Sequence, residues 1–320
     1  MRFEFYHPGI NVARTLMVDG VADSRLNMSH WPGNRTPEHL KADTSTEICL
    51  NLAADPYADR LFENIEIVSN NHFDTDGLLS SWTALHPKEA LFHREFLVAA
   101  AQAGDFGWYT TPQAVKFDLV VSGFEGSDRS PLHNRLAGLN DTQKYQLLYE
   151  HLLGEMPGLM ENFESRYRDL WTEEFKALEQ ARSALNNGAG QWRHHPAEGL
   201  AVFQTDKEFP LTSRFNHASS DRLLTLLNSP DGLRCEFHFD VITWFETVHV
   251  QKKPRLDLTP LASQLNALEK RGEVTWKADP LEELYPCLSL CDGNGNSANT
   301  SLPAESIENA FVSFFRAAER

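Results

Sequence analysis

A two-part α/β protein is what this sequence predicts, on three observations. Short apolar strand patterns alternate with helical spacing through the first third, a long helical stretch follows, and a second series of strand and helix patterns closes the chain. At 320 residues the chain exceeds what one compact core ordinarily organises. The expected division is an α/β domain over 1–138, with a largely parallel sheet flanked by helices. A helical connection and linker over 139–195 and a smaller α/β or α+β domain over 196–320 complete it.

The elements follow in order. Thr15 to Gly20 (TLMVDG) reads as a short buried strand ending in an Asp-Gly turn. Ala42 to Ala54 has the spacing of a helix entered through Thr44 or Ser45, with Glu47 in its first turn. Ile65 to Gly77 runs from a β-branched strand into a polar turn, and the helix after it should be broken by Pro87. Glu89 to Gly104 is expected to be a second helix, stopped by Gly104. From Asn140 to Asn187 the pattern is helical, with an interruption at Met156-Pro157-Gly158.

Asn186 to Gly199, which contains Trp192-Arg193-His194-His195-Pro196, reads as a solvated connecting loop. Gly199 to Asp206 is then expected as a strand, Ser219 to Gly232 as a helix, and Cys235 to Val250 as one or two strands. Asp257 to Gly272 forms a helix with Pro260 in its first turn, and an amphipathic helix opens at Pro303.

Composition narrows the function classes. Hydrophobic residues make up 41% and charged residues 23%, which excludes extensive disorder. The net charge of −16 disfavours extended nucleic acid and anionic lipid as partners. An anionic small substrate stays open, because a divalent cation reverses the local field. Cys287 and Cys291 are the only cysteines close in sequence and lack the companion ligands of a structural zinc site. The N-terminus has no apolar leader segment, and no stretch reaches the ~18 apolar residues of a membrane span. A cytoplasmic protein with reduced cysteines is the expectation.

The chemistry concentrates in Asn70 to Trp82, NNHFDTDGLLSSW. In an extended segment His72, Asp74 and Asp76 would share one face, and Gly77 permits the turn into the next helix. Oxygen-rich ligands with one imidazole suit Mn²⁺ or Mg²⁺ rather than Zn²⁺. The alternative is that the two aspartates are turn residues.

H-x-D-x-D-G-x-x-S, as it stands here, resembles the first motif of the DHH phosphoesterase superfamily, which includes manganese-dependent pyrophosphatases, RecJ-type nucleases and cyclic-dinucleotide phosphodiesterases. Leu16 to Leu50 is similar to that superfamily's later motifs through Asp19, Ser29-His30-Trp31-Pro32-x-Asn34 and Thr44-Ser45-Thr46-x-Glu47, and Ala99 to Pro112 through Asp105. The chain departs from the superfamily in reading Ser-His-Trp for Asp-His-His and in motif order. Over nearly its full length it resembles an uncharacterised bacterial family with a domain of unknown function.

The superfamily resemblance implies that 1–138 is a metal-binding domain with His72, Asp74, Asp76, Asp19 and Asp105 as metal ligands. It implies catalytic roles for Asp76, His30 and Asp105. A divalent cation would activate water and offset charge on a phosphoryl group. The expected activity is hydrolysis of a phosphoester or phosphoanhydride in a small phosphorylated substrate, in a cleft between the domains. The alternative is a catalytically degenerate module that binds metal or nucleotide. Arg14 and Arg35 are candidates for a phosphate clamp, with Asn34 beside them. The Lys252-Lys253-Pro254-Arg255 cluster either meets a substrate phosphate or forms a solvated turn. His133, His238 and His249 read as ordinary surface or hydrogen-bonded histidines, and Trp244 and Phe245 as core.

Overall fold

Two units make up the computed structural model, which describes residues 1–318. The first comprises Met1–Ala177 and Phe245–Gln251, the second Leu178–Trp244 and Lys252 onward. The mixed α/β architecture is the one the sequence predicts.

In the first unit the strands are β1 (Arg2–Phe3), β2 (Thr15–Val18), β3 (Leu26–Met28) and β4 (Ile67–Ser69). They form a four-stranded sheet in the order β1-β4-β2-β3, parallel throughout. The helices are α1 (Ser45–Ala54), α2 (Ala58–Leu61), α3 (Thr75–Leu85), α4 (Pro87–Phe92), α5 (Arg94–Phe106), α6 (Pro112–Gly126), α7 (His133–Leu136), α8 (Asp141–Arg166) and α9 (Arg168–Asn186). The boundary between the units falls inside α9. Leu16, Val18, Met28 and Val68 from the sheet pack with Ile48, Cys49 and Leu52 of α1 in one core.

Local chemistry sets the helix starts. Thr44 caps α1 by accepting the Glu47 N–H, and Asp74 caps α3 by accepting the Gly77 N–H. Pro87 ends one helix and opens the next at its first turn, where a missing N–H costs nothing. Two expected stops fail. Gly104 lies inside α5, where a Cβ would sit 2.9 Å from Thr75 Cβ; its smallness allows a close helix approach, and Gly107 at φ 63° ends the helix instead. Pro157 lies inside α8, which continues to Arg166 because Leu148, Leu152, Met156, Leu159 and Phe163 form one buried stripe.

The second unit holds β5 (Gln191–His195), β6 (Leu200–Thr205), α10 (Leu211–Ala218), β7 (Arg222–Ser229), β8 (Gly232–Phe239), α11 (Thr259–Leu268), β9 (Val274–Ala278), β10 (Cys287–Asp292), β11 (Asn299–Thr300) and α12 (Ala304–Ala318). Its seven-stranded mixed sheet runs β5-β6-β7-β8-β10-β9, with β11 on β8. The helix expected over Ser219 to Gly232 is strand β7 and a hairpin turn. β7 is covered on both faces, Leu224 and Leu226 toward one core and Leu223 toward another, so it shows no alternation in sequence. The connection expected to be a solvated loop contains β5, whose Arg193 and His195 project to one side and pair with Glu308 at 2.6 and 2.8 Å. The amphipathic helix at Pro303 is α12; Glu319 and Arg320 lie outside the described residues. Among the described residues, no helix is long and apolar enough to cross a membrane.

Leu16→Ala, at a fully buried position of β2, is expected to cost about 2–5 kcal/mol. The reading is a lower urea midpoint with an unchanged denaturant slope.

Candidate metal centre

Because β2, β3 and β4 are parallel, the chain leaves all three at one edge of the sheet. Asp19 follows β2, Ser29 and His30 follow β3, and Asn70 to Asp74 follow β4. This is the carboxyl edge, where open α/β sheets place their ligands. His72, Asp74 and Asp76 do not lie along an extended strand. β4 ends at Ser69, Asp74 is the cap of α3, and Asp76 is in that helix's first turn.

Asp19, His30, Asp76 and Asp105 each offer one ligand atom, and these atoms lie within 4.8 Å of one another. Asp19 sits at φ 44°, a left-handed conformation that Asp tolerates better than most residues. Its backbone is held by Met28 O and by the Asn70 amide, and its Oδ1 accepts from Ser45 Oγ at 2.8 Å. The Asp76 carboxylate spans the first turn of α1, accepting from the N–H groups of Ser45 and Thr46, each at 2.7 Å. Two unpaired helix amides thereby become an anchor for a carboxylate. Asp105 comes from the last turn of α5, the unfavourable end of a helix dipole for an anion.

His30 is oriented from behind. Its Nδ1 lies 2.6 Å from the Asp43 carbonyl, which only an N–H can donate to, so Nε2 faces the three carboxylates. Nε2 stands 3.0 Å from Asp105 Oδ2 and 3.6 Å from both Asp19 and Asp76. Yet His30 Nε2, Asp19 Oδ2 and Asp105 Oδ2 are buried without an aligned hydrogen bond. Ligand atoms that crowd together but point past one another fit a shared cation better than they fit direct pairing.

The electrostatics agree. Burial and the Asp19 charge push Asp76 up to about 7, against the pull of His30. Burial and Asp76 push Asp105 well above the carboxylate range. Burial would raise Asp19 too, but His30 and His72 outweigh it and hold Asp19 below that range. Burial opposes charge on His30, yet Asp105 and Asp19 raise it. Among the described residues no Lys or Arg pairs with these carboxylates, so protons supply the positive charge that a divalent cation would replace.

A second set adjoins the first. Asp19 Oδ2 lies 3.1 Å from His72 Nε2, which lies 2.9 Å from Asp74 Oδ2. Asp19 therefore turns one oxygen toward each set, and both sets could hold a divalent cation. Trp31 packs against the His72 ring, tilted by 39° with centroids 4.8 Å apart. Ser29 Oγ accepts the Gly20 and Trp31 N–H groups and so shapes the loop.

A sequence model described as a family of unknown function (DUF6687) matches residues 3–320. The chain belongs to that family. No curated protein matches it. Among solved structures it is similar to PggH, a pGpG-specific phosphodiesterase from Vibrio cholerae, at 9% identity and a TM-score of 0.40, over 95% of this chain and 83% of that one.

In this DUF6687 chain the remaining expected site residues are engaged elsewhere. Arg14 pairs with Glu66, Arg35 donates to the Ala22 and Ser24 carbonyls, and Asn34 donates to Trp31 O and Glu246. Among the described residues no hydrogen bond links these three to the cluster. Arg255 donates to the carbonyls of Leu281, Glu283 and Leu284, and Lys252 to that of Ile242.

Phe245 is buried, as the sequence predicts, but the sequence does not show Asp43 or the contacts that the segment Phe245–Gln251 makes. Phe245 stacks on His30 at 4.2 Å, the Glu246 N–H donates to His30 O at 2.7 Å, and the Glu246 carboxylate accepts from Gly33 and Asn34. Asp43 Oδ1 accepts the Val248 and His249 N–H groups; β8 ends at Phe239, so His249, expected on a strand, lies in a bend. No local pattern announces this strap, since it lies far along the chain from the loop it holds.

Two outcomes follow. Asp76 at about 7, against 3.8 unfolded, stabilises the cation-free fold fully below pH 3.8 and loses that contribution as pH rises through about 7. Asp118, raised by burial to about 6, acts in the same sense. Mn²⁺ competes with the proton on Asp76, so it should raise the urea midpoint more at about pH 8 than at about pH 5. Phe245→Ala should weaken Mn²⁺ binding by roughly tenfold in calorimetric titration, since it frees the His30 ring.

Proposed function

We propose that the protein is a metal-dependent hydrolase of phosphoesters or phosphoanhydrides. The observation that carries this is the pair of adjoining ligand sets sharing Asp19, with buried His30, Asp19 and Asp105 atoms left unpaired among them. In this reading Asp19, Asp76 and Asp105 with His30 hold one divalent cation, and Asp19, His72 and Asp74 hold another. Oxygen ligands with imidazoles suit Mn²⁺ or Mg²⁺. Bound there, such ions supply Lewis acidity, making a nucleophile of water near neutral pH and offsetting charge on phosphoryl oxygens.

The chain's own groups do the positioning. The first-turn amides of α1 fix Asp76, the Asp43 carbonyl fixes the His30 tautomer, and Ser45 fixes Asp19. His72 and Asp74 are partly exposed, with side chains at 25% and 40%, whereas His30 and Asp76 are enclosed. A small phosphorylated substrate would therefore approach from the His72 side.

A second reading has its own observation. Trp31 packs against His72 at the position where the resembled motif carries its second histidine. A protein that binds metal or nucleotide without turnover would tolerate that replacement.

The test is Asp76→Asn with Mn²⁺ titration and a panel of nucleotides, pyrophosphate and short phosphoesters. Hydrolysis by the native protein that needs added Mn²⁺, lost by about a hundredfold or more in the variant, supports the enzyme. Binding without turnover supports the second reading, and absence of both Mn²⁺ and nucleotide binding removes both.

A further inference from the structure

The second unit carries a thiol unlike the chain's other three. Cys287 and His238 are directly opposed across the antiparallel β8–β10 pair. Directly opposed residues project to the same face of a sheet with Cβ atoms about 5 Å apart. That face is turned away from α11 and α12, which pack on Phe237, Trp276, Leu288 and Leu290 of the other side. Cys287 and His238 are both half-buried, so the pair is shielded yet reachable.

The imidazole has a charged setting. His238 Nε2 stands 4.0 Å from Glu236 Oε2, and Glu236 in turn accepts from Arg214 Nη1 at 2.5 Å. His238 Nδ1 is buried with no hydrogen-bond partner. The other charges nearby are Asp279, whose carboxylate accepts the Cys287 backbone N–H at 3.0 Å, and exposed Lys277, which is opposite Ser289 on β9. Burial disfavours charge on His238, but Cys287 and Glu236 outweigh it and lift the group to about 9. The imidazole therefore favours its protonated form on the sheet face that it shares with Cys287.

We propose that Cys287 is a nucleophilic thiol supported by His238 and Glu236, and that it undergoes exchange with small-molecule disulfides to form a mixed disulfide. The thiol proton leaves to solvent, and the imidazolium stabilises the thiolate that remains. The Cys287 sulfur attacks one sulfur of the disulfide, forming a new S–S bond as the old one breaks. The departing thiolate takes up a proton from water. Cys287 is oxidised and the released thiol is the reduced product, so the disulfide itself is the oxidant.

The chain contains its own control. Cys291 lies on the same strand and face and is also half-buried, but its register partner is Thr275 and its neighbour is Ser289 Oγ at 3.6 Å. Cys49 and Cys235 are each 1% exposed.

The experiment treats the full native chain with limiting iodoacetamide, and separately with hydroxyethyl disulfide, near pH 7. Labelling of each cysteine is read by peptide mass spectrometry. Cys287 should react about tenfold or more faster than Cys291, and His238→Asn should bring the two to similar rates with Cys291 unchanged. In the native protein the advantage should shrink near pH 9, where an unassisted thiol also ionises. That profile decides the matter even where the variant fails to fold. Equal rates near neutral pH, or an advantage that survives His238→Asn in a folded variant, would overturn the proposal. The result is independent of metal binding in the first unit.

Discussion

Three carboxylates closed around one imidazole, with no Lys or Arg paired to them among the described residues, set the terms for the first unit. Charge of one sign does not survive burial without compensation. The fold compensates in part by dipoles: amides of α1 hold Asp76, and Ser45 holds Asp19. It leaves the remainder to be met by protons or a cation. The parallel sheet makes this possible, because it delivers Asp19, His30 and the Asp74 loop to one edge. The compact approach of α3 and α5 at Gly104 belongs to the same design, since Asp76 and Asp105 each follow directly on one of the two residues in contact, Thr75 and Gly104.

Asp19 is the hinge between two ligand sets. One oxygen faces the enclosed His30 cluster and the other faces the more accessible His72 and Asp74. A left-handed backbone at a non-glycine residue is a strained choice. It persists because Asn70 and Met28 hold the peptide groups on either side of the side chain.

Much of this cluster was legible in the sequence, for identifiable reasons. Asp74, Asp76 and His72 stand out through local spacing, while Asp19, His30 and Asp105 emerge only by resemblance to known motifs. Local spacing marks these residues but not their geometry, because alternation describes a strand and the segment is a loop entering a helix. β7 was misread since a strand buried on both faces shows no period of two. β5 was misread because its stabilising partner, Glu308, lies more than a hundred residues away. The roles of Asp43 and of the Phe245 ring against His30 are illegible for the same cause: they are set by what meets in space.

The strap Phe245–Gln251 belongs to the first unit, yet the chain enters and leaves it from the second. The His30 environment is therefore written in two distant stretches of one gene. Recombination that exchanged the C-terminal half for an unrelated sequence would strip the aromatic cover from His30, so the two halves can change partners only at the expense of the site. Evolution is bound to inherit them as a pair.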